Sequence, residues 1–323
     1  MKESLRLCIV LPCYNEEKTL RKTISEVEKK LVGLIGEGLI SQDSYMLLVD
    51  DGSRDSTWSI IAECSSLFPE RVSGMRFAAN QGKETALWAG CVEAGEEADF
   101  VACMDADLQF DINALDDFLK SYYEGYELIY GVKRNRGKEM FLKTIFAAMF
   151  YRLMSFLGSP IVKNHTDYCL MSKSVCKALS EYRETHMIFR GLLRKVGFRQ
   201  KSVEFDVLDR SEGESHFSIK KLISLSVDAI TSFSAAPLRL IALVGVLIFI
   251  IGILMSVYSL VCFLNSSPPD GYTTLACSMW LLGGLGMLSI GIVGEYAGKI
   301  YVEVKRRPRC FVRERTKGRN VWK

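Results

Sequence analysis

The chain has 323 residues, of which 49% are hydrophobic, with a mean hydropathy of +0.12 and a formal net charge of +3. This length suggests one large or two ordinary domains, and the apolar fraction is high for a purely water-soluble enzyme. Residues 299–323 hold ten Lys or Arg and two Glu, a charge of +8, which leaves −5 for the remainder. Such a basic segment favours anionic lipid headgroups, and nothing else in the sequence supports nucleic acid as a partner.

The N-terminal half of the chain alternates strand and helix patterns, because short apolar runs are separated by longer segments of helical periodicity. Asn15 is a candidate N-cap of the first helix. The order predicts an α/β fold with a mostly parallel sheet flanked by helices. The predicted strands are Leu7–Leu11, Tyr45–Val49, Val72–Phe77, Phe100–Met104 and Glu127–Gly131, and the predicted helices are Glu16–Leu31, Ser56–Ser66, Lys83–Ala94 and Ile112–Tyr123.

Three polar segments directly follow predicted strands: Pro12–Glu16, Asp50–Ser53 and Asp105–Gln109. Ligands of such sheets bind beyond the carboxyl ends of the strands, so we expect the three segments to converge on one crevice. The chain has no G-x-G-x-x-G after its first strand and no P-loop sequence, which argues against a dinucleotide oxidoreductase or a P-loop kinase.

Two carboxylates two residues apart, Asp105 and Asp107, stand at the end of the fourth strand. Residues i and i+2 of a strand point to the same side, so both can reach one hard cation. Mg²⁺ is usually held by one or two carboxylates plus substrate phosphates. An isolated pair of this kind is more often a solvated acidic turn, and the other strand-end segments shift the balance toward a site for a metal-bound nucleotide diphosphate.

The C-terminal third is strongly apolar, with no charged residue in 240–269 or in 271–294. Each stretch can supply the roughly 20 apolar residues of a membrane-spanning helix. Lys and Arg flank both stretches and are absent from the loop 265–272, which predicts cytoplasmic flanks and an external loop. Met140–Leu157 is either an amphipathic interfacial helix or a core-facing one.

Several motifs together resemble family-2 glycosyltransferases with a GT-A fold. They occur in the family's order and approximate spacing, and with the paired apolar stretches they narrow the resemblance, over residues 5–310, to the polyisoprenyl-phosphate glycosyltransferases. These include relatives of dolichol-phosphate mannose synthase and of bactoprenol glucosyltransferases. The motifs are Pro12-Cys13-Tyr14-Asn15-Glu16, Asp50-Asp51-Gly52-Ser53, Asn80-Gln81-Gly82-Lys83, Asp105–Gln109 and Arg210-Ser211-Glu212-Gly213-Glu214-Ser215.

The resemblance implies roles for individual residues. Asp105 and Asp107, with Gln109 as a further oxygen ligand, would bind Mg²⁺ or Mn²⁺ and act in catalysis. Asp51 matches the acid that contacts the base, and a carboxylate accepts the imide N–H of uracil or guanine equally well; Asp50 would then hold the turn. The residues implied to bind the nucleotide sugar are Pro12, Tyr14, Glu16, Val49, Asp51, Lys83, Ala106 and Asp107.

A second set of residues is implied to bind the phosphates of donor and lipid acceptor, because cations must hold two anionic groups close together. His216 stands where the family commonly has Lys or Arg. Asp167 matches an acid that either orients the acceptor or serves as a catalytic base. The phosphate-binding set is Lys133, Arg136, Arg210, Ser215 and His216.

The resulting prediction is a membrane-bound inverting glycosyltransferase that moves a sugar, from UDP-glucose or another UDP-sugar, to undecaprenyl or another polyisoprenyl phosphate. It would lie in the cell membrane as a multi-pass protein with the catalytic domain and both termini cytoplasmic, and a homo-oligomer is compatible with it. The predicted segments are a GT-A domain (1–215), a juxtamembrane amphipathic helix (216–237), two transmembrane helices (238–298, spans about 239–264 and 273–296) and a basic tail (299–323).

Other functions stay open on the sequence. A family-2 enzyme could act on a growing glycan, although the Q-x-x-R-W motif of processive synthases is missing. A mannosyltransferase could use GDP-mannose with the same framework. A non-catalytic scaffold would be signalled by loss of the acidic motif or of the phosphate-binding cations, and both are present.

Overall fold

The computed structural model describes residues 5–107, 111–133, 165–182, 184, 189–205, 236–265 and 271–316. These residues fall into two compact units. The first contains the described residues up to 205 together with 307–316, and the second contains those between 236 and 306.

The first unit is an α/β domain built on one eight-stranded sheet, in the order β7-β5-β6-β4-β1-β2-β3-β8. Only β6 and β8 run antiparallel to their neighbours. The predicted GT-A-like fold with a mostly parallel sheet is therefore confirmed. Its elements are β1 (Leu7–Cys13), α1 (Leu20–Gly36), β2 (Tyr45–Asp50), α2 (Thr57–Leu67), β3 (Val72–Phe77), α3 (Lys83–Glu97), β4 (Phe100–Cys103), α4 (Ala114–Tyr123), β5 (Leu128–Lys133), β6 (His165–Ser172), α5 (Lys173–Glu181), α6 (Phe189–Lys195), β7 (Gln200–Phe205) and β8 (Val312–Arg315).

The sheet is covered by helices on both faces, which explains the continuous apolar runs of its central strands. All residues of β2 and β4 are buried. On one face the core includes side chains of α1, α2 and α4, and on the other it includes side chains of α3, α5 and α6. Because both faces are buried, the loops at the carboxyl ends of the strands are left as the place where polar side chains can gather.

The first helix differs from its prediction at its N-terminus. It begins at Leu20 rather than Glu16, and Asn15 has a φ of 56° in the left-handed region. The side chain of Asn15 does not cap the helix; its Oδ1 accepts a hydrogen bond from the backbone N–H of Arg54 at 3.0 Å. Asn tolerates this conformation better than most residues, and here it joins the segment after β1 to the segment after β2.

A strand from the predicted basic tail completes the sheet. β8 pairs with β3 and forms the edge of the sheet, and Thr316 beside it accepts a hydrogen bond on Oγ1 from the backbone N–H of Gly74 at 3.0 Å. The indole N–H of Trp58 donates to Glu314 at 2.9 Å. The edge of the sheet is therefore a short, charged strand, which is a common way to protect a sheet from further strand pairing. Basic composition alone did not reveal that these residues form part of the sheet.

The second unit contains two helices, α7 (Ala236–Leu264) and α8 (Tyr272–Val304), in the segments that the sequence predicted as transmembrane. Crossing a bilayer requires about 20 consecutive, predominantly apolar residues. Over the described part of the chain, no helix reaches the length and apolarity that a crossing demands. On this finding the predicted multi-pass membrane localisation, with the catalytic domain and both termini cytoplasmic, is wrong, and the transmembrane hairpin is not confirmed. The predicted interfacial helix 140–157 and most of the amphipathic segment 216–237 lie outside the described residues.

Close packing of α3 on the sheet makes Gly90 sensitive to substitution. A Cβ at this position would lie 2.5 Å from Cγ1 of Val10 and 2.9 Å from Cγ2 of Val49, whereas Gly33 on α1 has open space around it. We expect Gly90→Ala to lower the free energy of unfolding by about 1–3 kcal/mol through overpacking. Gly33→Ala, the matched control, should raise it by about 0.5–1 kcal/mol. Urea unfolding followed by tryptophan fluorescence measures both, and a stabilising Gly90→Ala would contradict the packing of α3.

Candidate active site

One cavity of about 400 Å³ lies at the carboxyl ends of β1, β2 and β4, where the three polar segments were expected to converge. It brings together most of the residues predicted to bind the nucleotide sugar and the metal. Val49 is fully buried within β2 and does not line it. The lining residues are Pro12, Cys13, Tyr14, Glu16, Asp51, Asn80, Gly82, Lys83, Asp105, Ala106 and Asp107.

Asp51 fastens the loop that precedes α3. Its Oδ1 accepts from the backbone N–H of Gln81 at 2.7 Å, and its Oδ2 accepts from the N–H of Gly82 at 2.8 Å and from Nδ2 of Asn80 at 3.0 Å. Burial raises the pKa of Asp51, and the two backbone donors counter that shift. Gly52 follows with a φ of +68°, where a Cβ would lie 2.7 Å from the backbone of Ala79. The two segments are therefore fixed against each other before any ligand binds.

Asp50 holds the turn after β2, as the sequence suggested. Its Oδ1 accepts from the backbone N–H of Ser53 at 2.9 Å, and its Oδ2 lies 3.3 Å from Nε of Arg76. Burial raises the pKa of Asp50, against the effect of these partners. Asp50 has no exposed surface, so its role is structural, and it is Asp51 that lines the cavity.

The segment after β1 presents an aromatic ring and a carboxylate to the cavity. Tyr14 is 43% exposed, which leaves its ring available for stacking. The hydroxyl of Thr19 donates to Oε2 of Glu16 at 2.8 Å, and the backbone N–H of Glu16 donates to Thr57 at 2.9 Å. Burial is the main cause that raises the pKa of Glu16, and the charges of Asp107 and Asp105 raise it further.

Lys83 links two of the three carboxylates that the sequence predicted as catalytic, Asp105 and Asp167. Its Nζ lies 2.6 Å from Oδ1 of Asp105 and 2.6 Å from Oδ2 of Asp167. Burial acts to lower the pKa of Lys83, but the two carboxylates prevail and raise it. Burial raises the pKa of Asp105, and Lys83 opposes that rise. Lys83 therefore stays cationic between two anions, and the structure brings Asp167 of β6 to the end of β4.

Two residues that the sequence did not predict extend this cluster. Nε of Arg190 lies 2.7 Å from Oδ1 of Asp167, and Oε2 of Glu84 accepts from the backbone N–H of Phe189 at 2.6 Å. Burial and the charge of Asp167 raise the pKa of Glu84, while Arg190 and Lys83 lower it. Glu84 directly follows the motif Asn80-Gln81-Gly82-Lys83, which was a usable signal; Arg190 lies in a segment without any of the motifs.

The carboxylates that line the cavity are ligands of the type that a hard divalent cation prefers. The carboxylates of Asp107 and Asp105 repel Glu16 and each other, as their contributions to the pKa values of Glu16 and Asp105 show, and a cation would relieve this repulsion. Carboxylate oxygens suit Mg²⁺ and Mn²⁺. Within the described ranges no three His, Cys, Asp or Glu side chains are arranged to hold a metal, and the third predicted ligand, Gln109, lies outside them.

The predicted phosphate-binding residues are less fully described. Lys133 ends β5, is partly buried, and does not line the cavity. The other four lie outside the described residues: Arg136, Arg210, Ser215 and His216.

The contacts of Asp51 predict a measurable effect of its removal. Asp51→Ala leaves the backbone N–H groups of Gln81 and Gly82 without their acceptor, which should lower the free energy of unfolding by about 1–3 kcal/mol. It should also weaken binding of UDP, since the loop before α3 forms one wall of the cavity. Asp117→Ala, which removes an exposed carboxylate on α4, is the control and should leave UDP binding unchanged. Calorimetric titration with UDP and urea unfolding test this; unaltered values for Asp51→Ala would contradict the assigned role.

Comparison with known proteins identifies the family. Residues 8–180 match the model of glycosyl transferase family 2. The chain is 40% identical over 306 residues to the uncharacterized glycosyltransferase YkoT of Bacillus subtilis, covering 95% of this chain and 90% of that protein. It is 31% identical over 319 residues to the SfII prophage-derived bactoprenol glucosyl transferase of Shigella flexneri, covering 97% and 99%. A crystal structure of mannosyl-3-phosphoglycerate synthase from Rubrobacter xylanophilus aligns over 75% of each chain with 19% identity and a TM-score of 0.45. The chain belongs to glycosyl transferase family 2 and is a glycosyltransferase.

Proposed function

We propose that this glycosyltransferase moves a sugar from a nucleotide diphosphate sugar, with UDP-glucose as the first candidate, to a polyisoprenyl phosphate. The observation that carries the proposal is the joining of two groups of residues by Lys83: Asp105, in the cavity of the nucleotide motifs, and Asp167 with Arg190 beside it. The similarity to a bactoprenol glucosyl transferase over 97% of this chain supports the lipid acceptor and the glucosyl donor.

On the donor side, Tyr14 and Glu16 would contact base and ribose, and Asp51 would accept from the imide N–H of the base. Asp105 and Asp107 would hold Mg²⁺ or Mn²⁺ against the diphosphate, with Gln109 as the further ligand. The ion would neutralise the charge that develops on the leaving diphosphate. The backbone contacts of Asp51 fix the wall against which the nucleoside would lie.

On the acceptor side, the nucleophile is a phosphate oxygen that attacks the anomeric carbon while the bond from that carbon to the diphosphate breaks. A phosphate monoester has its second pKa near 6, so most of it is already a dianion at neutral pH. The chemical demand is therefore to hold two anionic groups together. Lys83 and Arg190 meet this demand among the described residues, and Lys133, Arg136, Arg210, Ser215 and His216 are proposed to add to them.

Two alternative functions each differ from the proposed one in a single substrate, either the donor or the acceptor. With GDP-mannose as donor the same carboxylate of Asp51 would accept from guanine, and with a glycan acceptor the cations near Asp167 would have no second phosphate to bind. The similarity of the whole chain to a bactoprenol glucosyl transferase favours the lipid phosphate and glucose over both.

A donor panel separates these functions. The full purified chain in detergent is incubated with undecaprenyl phosphate and each of UDP-glucose, UDP-N-acetylglucosamine, UDP-galactose and GDP-mannose. We expect a mild-acid-labile glycolipid with UDP-glucose, detected by mass spectrometry. If a product forms only with GDP-mannose, UDP-glucose is not the donor. Sugar transfer to an oligosaccharide but never to the lipid phosphate would refute the proposed acceptor.

The metal role of Asp107 has its own test. Asp107→Ala should lower the rate of sugar transfer at least about 100-fold, equivalent to about 2.7 kcal/mol, and should abolish the dependence of UDP affinity on Mn²⁺ in calorimetry. Its melting temperature should stay close to that of the wild type because Asp107 is exposed. Asp117→Ala serves again as the control. Normal turnover by Asp107→Ala in the presence of EDTA would show that no metal acts through this residue.

A further inference from the structure

Five ionisable side chains of alternating charge lie next to one another, and the first two of them, Asp105 and Lys83, line the cavity. The order begins at Asp105 and continues through Lys83, Asp167 and Arg190 to Glu84, which interacts electrostatically with Arg190. They come from four elements that are far apart in the chain: α3, the end of β4, β6 and α6. Asp167 is the middle member and has one cation on each of its oxygens.

Exposure differs sharply along this series. The side chain of Asp167 is 6% exposed, whereas those of Lys83 and Arg190 are each 42% exposed. A substrate phosphate can therefore contact the two cations, while the carboxylate lies beneath them. A general base must come within hydrogen-bond reach of the proton that it removes, and Asp167 is poorly placed for that task.

The position of Arg190 is set by its own helix. Phe189 and Leu193 of α6 are buried in the core on one side of the sheet, and Glu84 holds the backbone N–H of Phe189 at the start of this helix. Glu84 adjoins Lys83 in sequence. The first turn of α3 therefore carries Lys83 directly and, through the hydrogen bond of Glu84 to the start of α6, helps to position Arg190. This one turn thus contributes to the positions of both cations around Asp167.

We propose that Asp167 is the shared anion that positions Lys83 and Arg190 for the phosphate of the acceptor, rather than the proton acceptor of the reaction, and that Arg190 is a further phosphate-binding residue. This inference rests on the proposed function. No proton has to leave the ionised phosphate: its oxygen forms the new bond to the anomeric carbon, and the diphosphate leaves with the electron pair of the broken bond. The role of Asp167 is to keep two cations in place that would otherwise repel each other.

The test compares the kinetics of transfer with direct binding of farnesyl phosphate, a short polyprenyl phosphate, in the presence of UDP. Arg190→Gln should raise the KM for farnesyl phosphate at least about tenfold and weaken its calorimetric affinity similarly, with a smaller effect on kcat. Arg190→Lys should recover part of the affinity because it retains the charge. Arg194→Gln removes a cation from the exposed part of the same helix and should match the wild type.

Asp167→Asn separates the two roles. If Asp167 is the shared anion, Asp167→Asn should weaken the affinity for farnesyl phosphate. Adding Arg190→Gln to Asp167→Asn should then lower that affinity by a smaller factor than Arg190→Gln does in the wild type, because the effects of interacting residues are not additive. A kcat lowered more than 100-fold with unchanged affinity for farnesyl phosphate would identify a proton acceptor and overturn the inference. Unchanged affinity in Arg190→Gln would also overturn it. A wild-type chain that binds no farnesyl phosphate would instead refute the proposed acceptor.

Discussion

The ion pairs of Lys83 with Asp105 and Asp167 are the interaction on which the rest of the site depends. Each is 2.6 Å long, and together they join the end of β4 to β6 through the first residue of α3. The side chain of Asp167 is only 6% exposed, so removing a cation from it would leave a buried carboxylate less well compensated, which is destabilising. The geometry of this junction therefore constrains the loop before α3, the position of Asp105 and the position of Arg190 together.

The loop before α3 is held from the other side by Asp51, and the support continues to the edge of the sheet. Asp51 accepts from the backbone of Gln81 and Gly82, and its neighbour Asp50 pairs with Arg76 of β3. Arg76 in turn lies 3.3 Å from Glu314 of β8. The strand that follows α8 in the chain thus contributes to the turn that carries Asp51, because a single guanidinium contacts a carboxylate on each side.

The sequence predicted the parts of the site that follow central strands, and the reason is physical. A buried parallel strand must be apolar throughout, so the polar residues at its carboxyl end, such as Asp51 and Asp105, stand out against it. Asp167 was found through family resemblance, since β6 carries no such contrast. Arg190 could not be found, because its position beside Asp167 depends on the packing of α6 against α3, which no local pattern records. The strand β8 was missed because charged residues on a short edge strand resemble those of a solvated tail.

The prediction of multi-pass membrane localisation was wrong for a different reason. It rested on counting uncharged residues along the sequence, and the described helices do not satisfy the requirement for crossing a bilayer. The prediction for the first helix was wrong only at its N-terminus, since Asn15 is a common N-cap residue type and here accepts a hydrogen bond from Arg54 instead. For Asn15, a residue type that is common in one structure was compatible with another, and the three-dimensional contacts decided between them.

Charge compensation explains why the site contains both carboxylates and cationic side chains. The substrates of the proposed reaction bring a diphosphate and a phosphate into a cavity that already has Glu16, Asp105 and Asp107 along its wall. Asp51 and Asp167 add little to this repulsion, because the first is bound by backbone N–H groups and the second by two cations. The acids around Asp107 lie on the proposed donor side, and Lys83 and Arg190, whose side chains are each 42% exposed, lie on the proposed acceptor side. A divalent cation suits the first region and an anionic phosphate the second, so the same arrangement of charges would admit donor and acceptor at different places and keep each out of the position of the other.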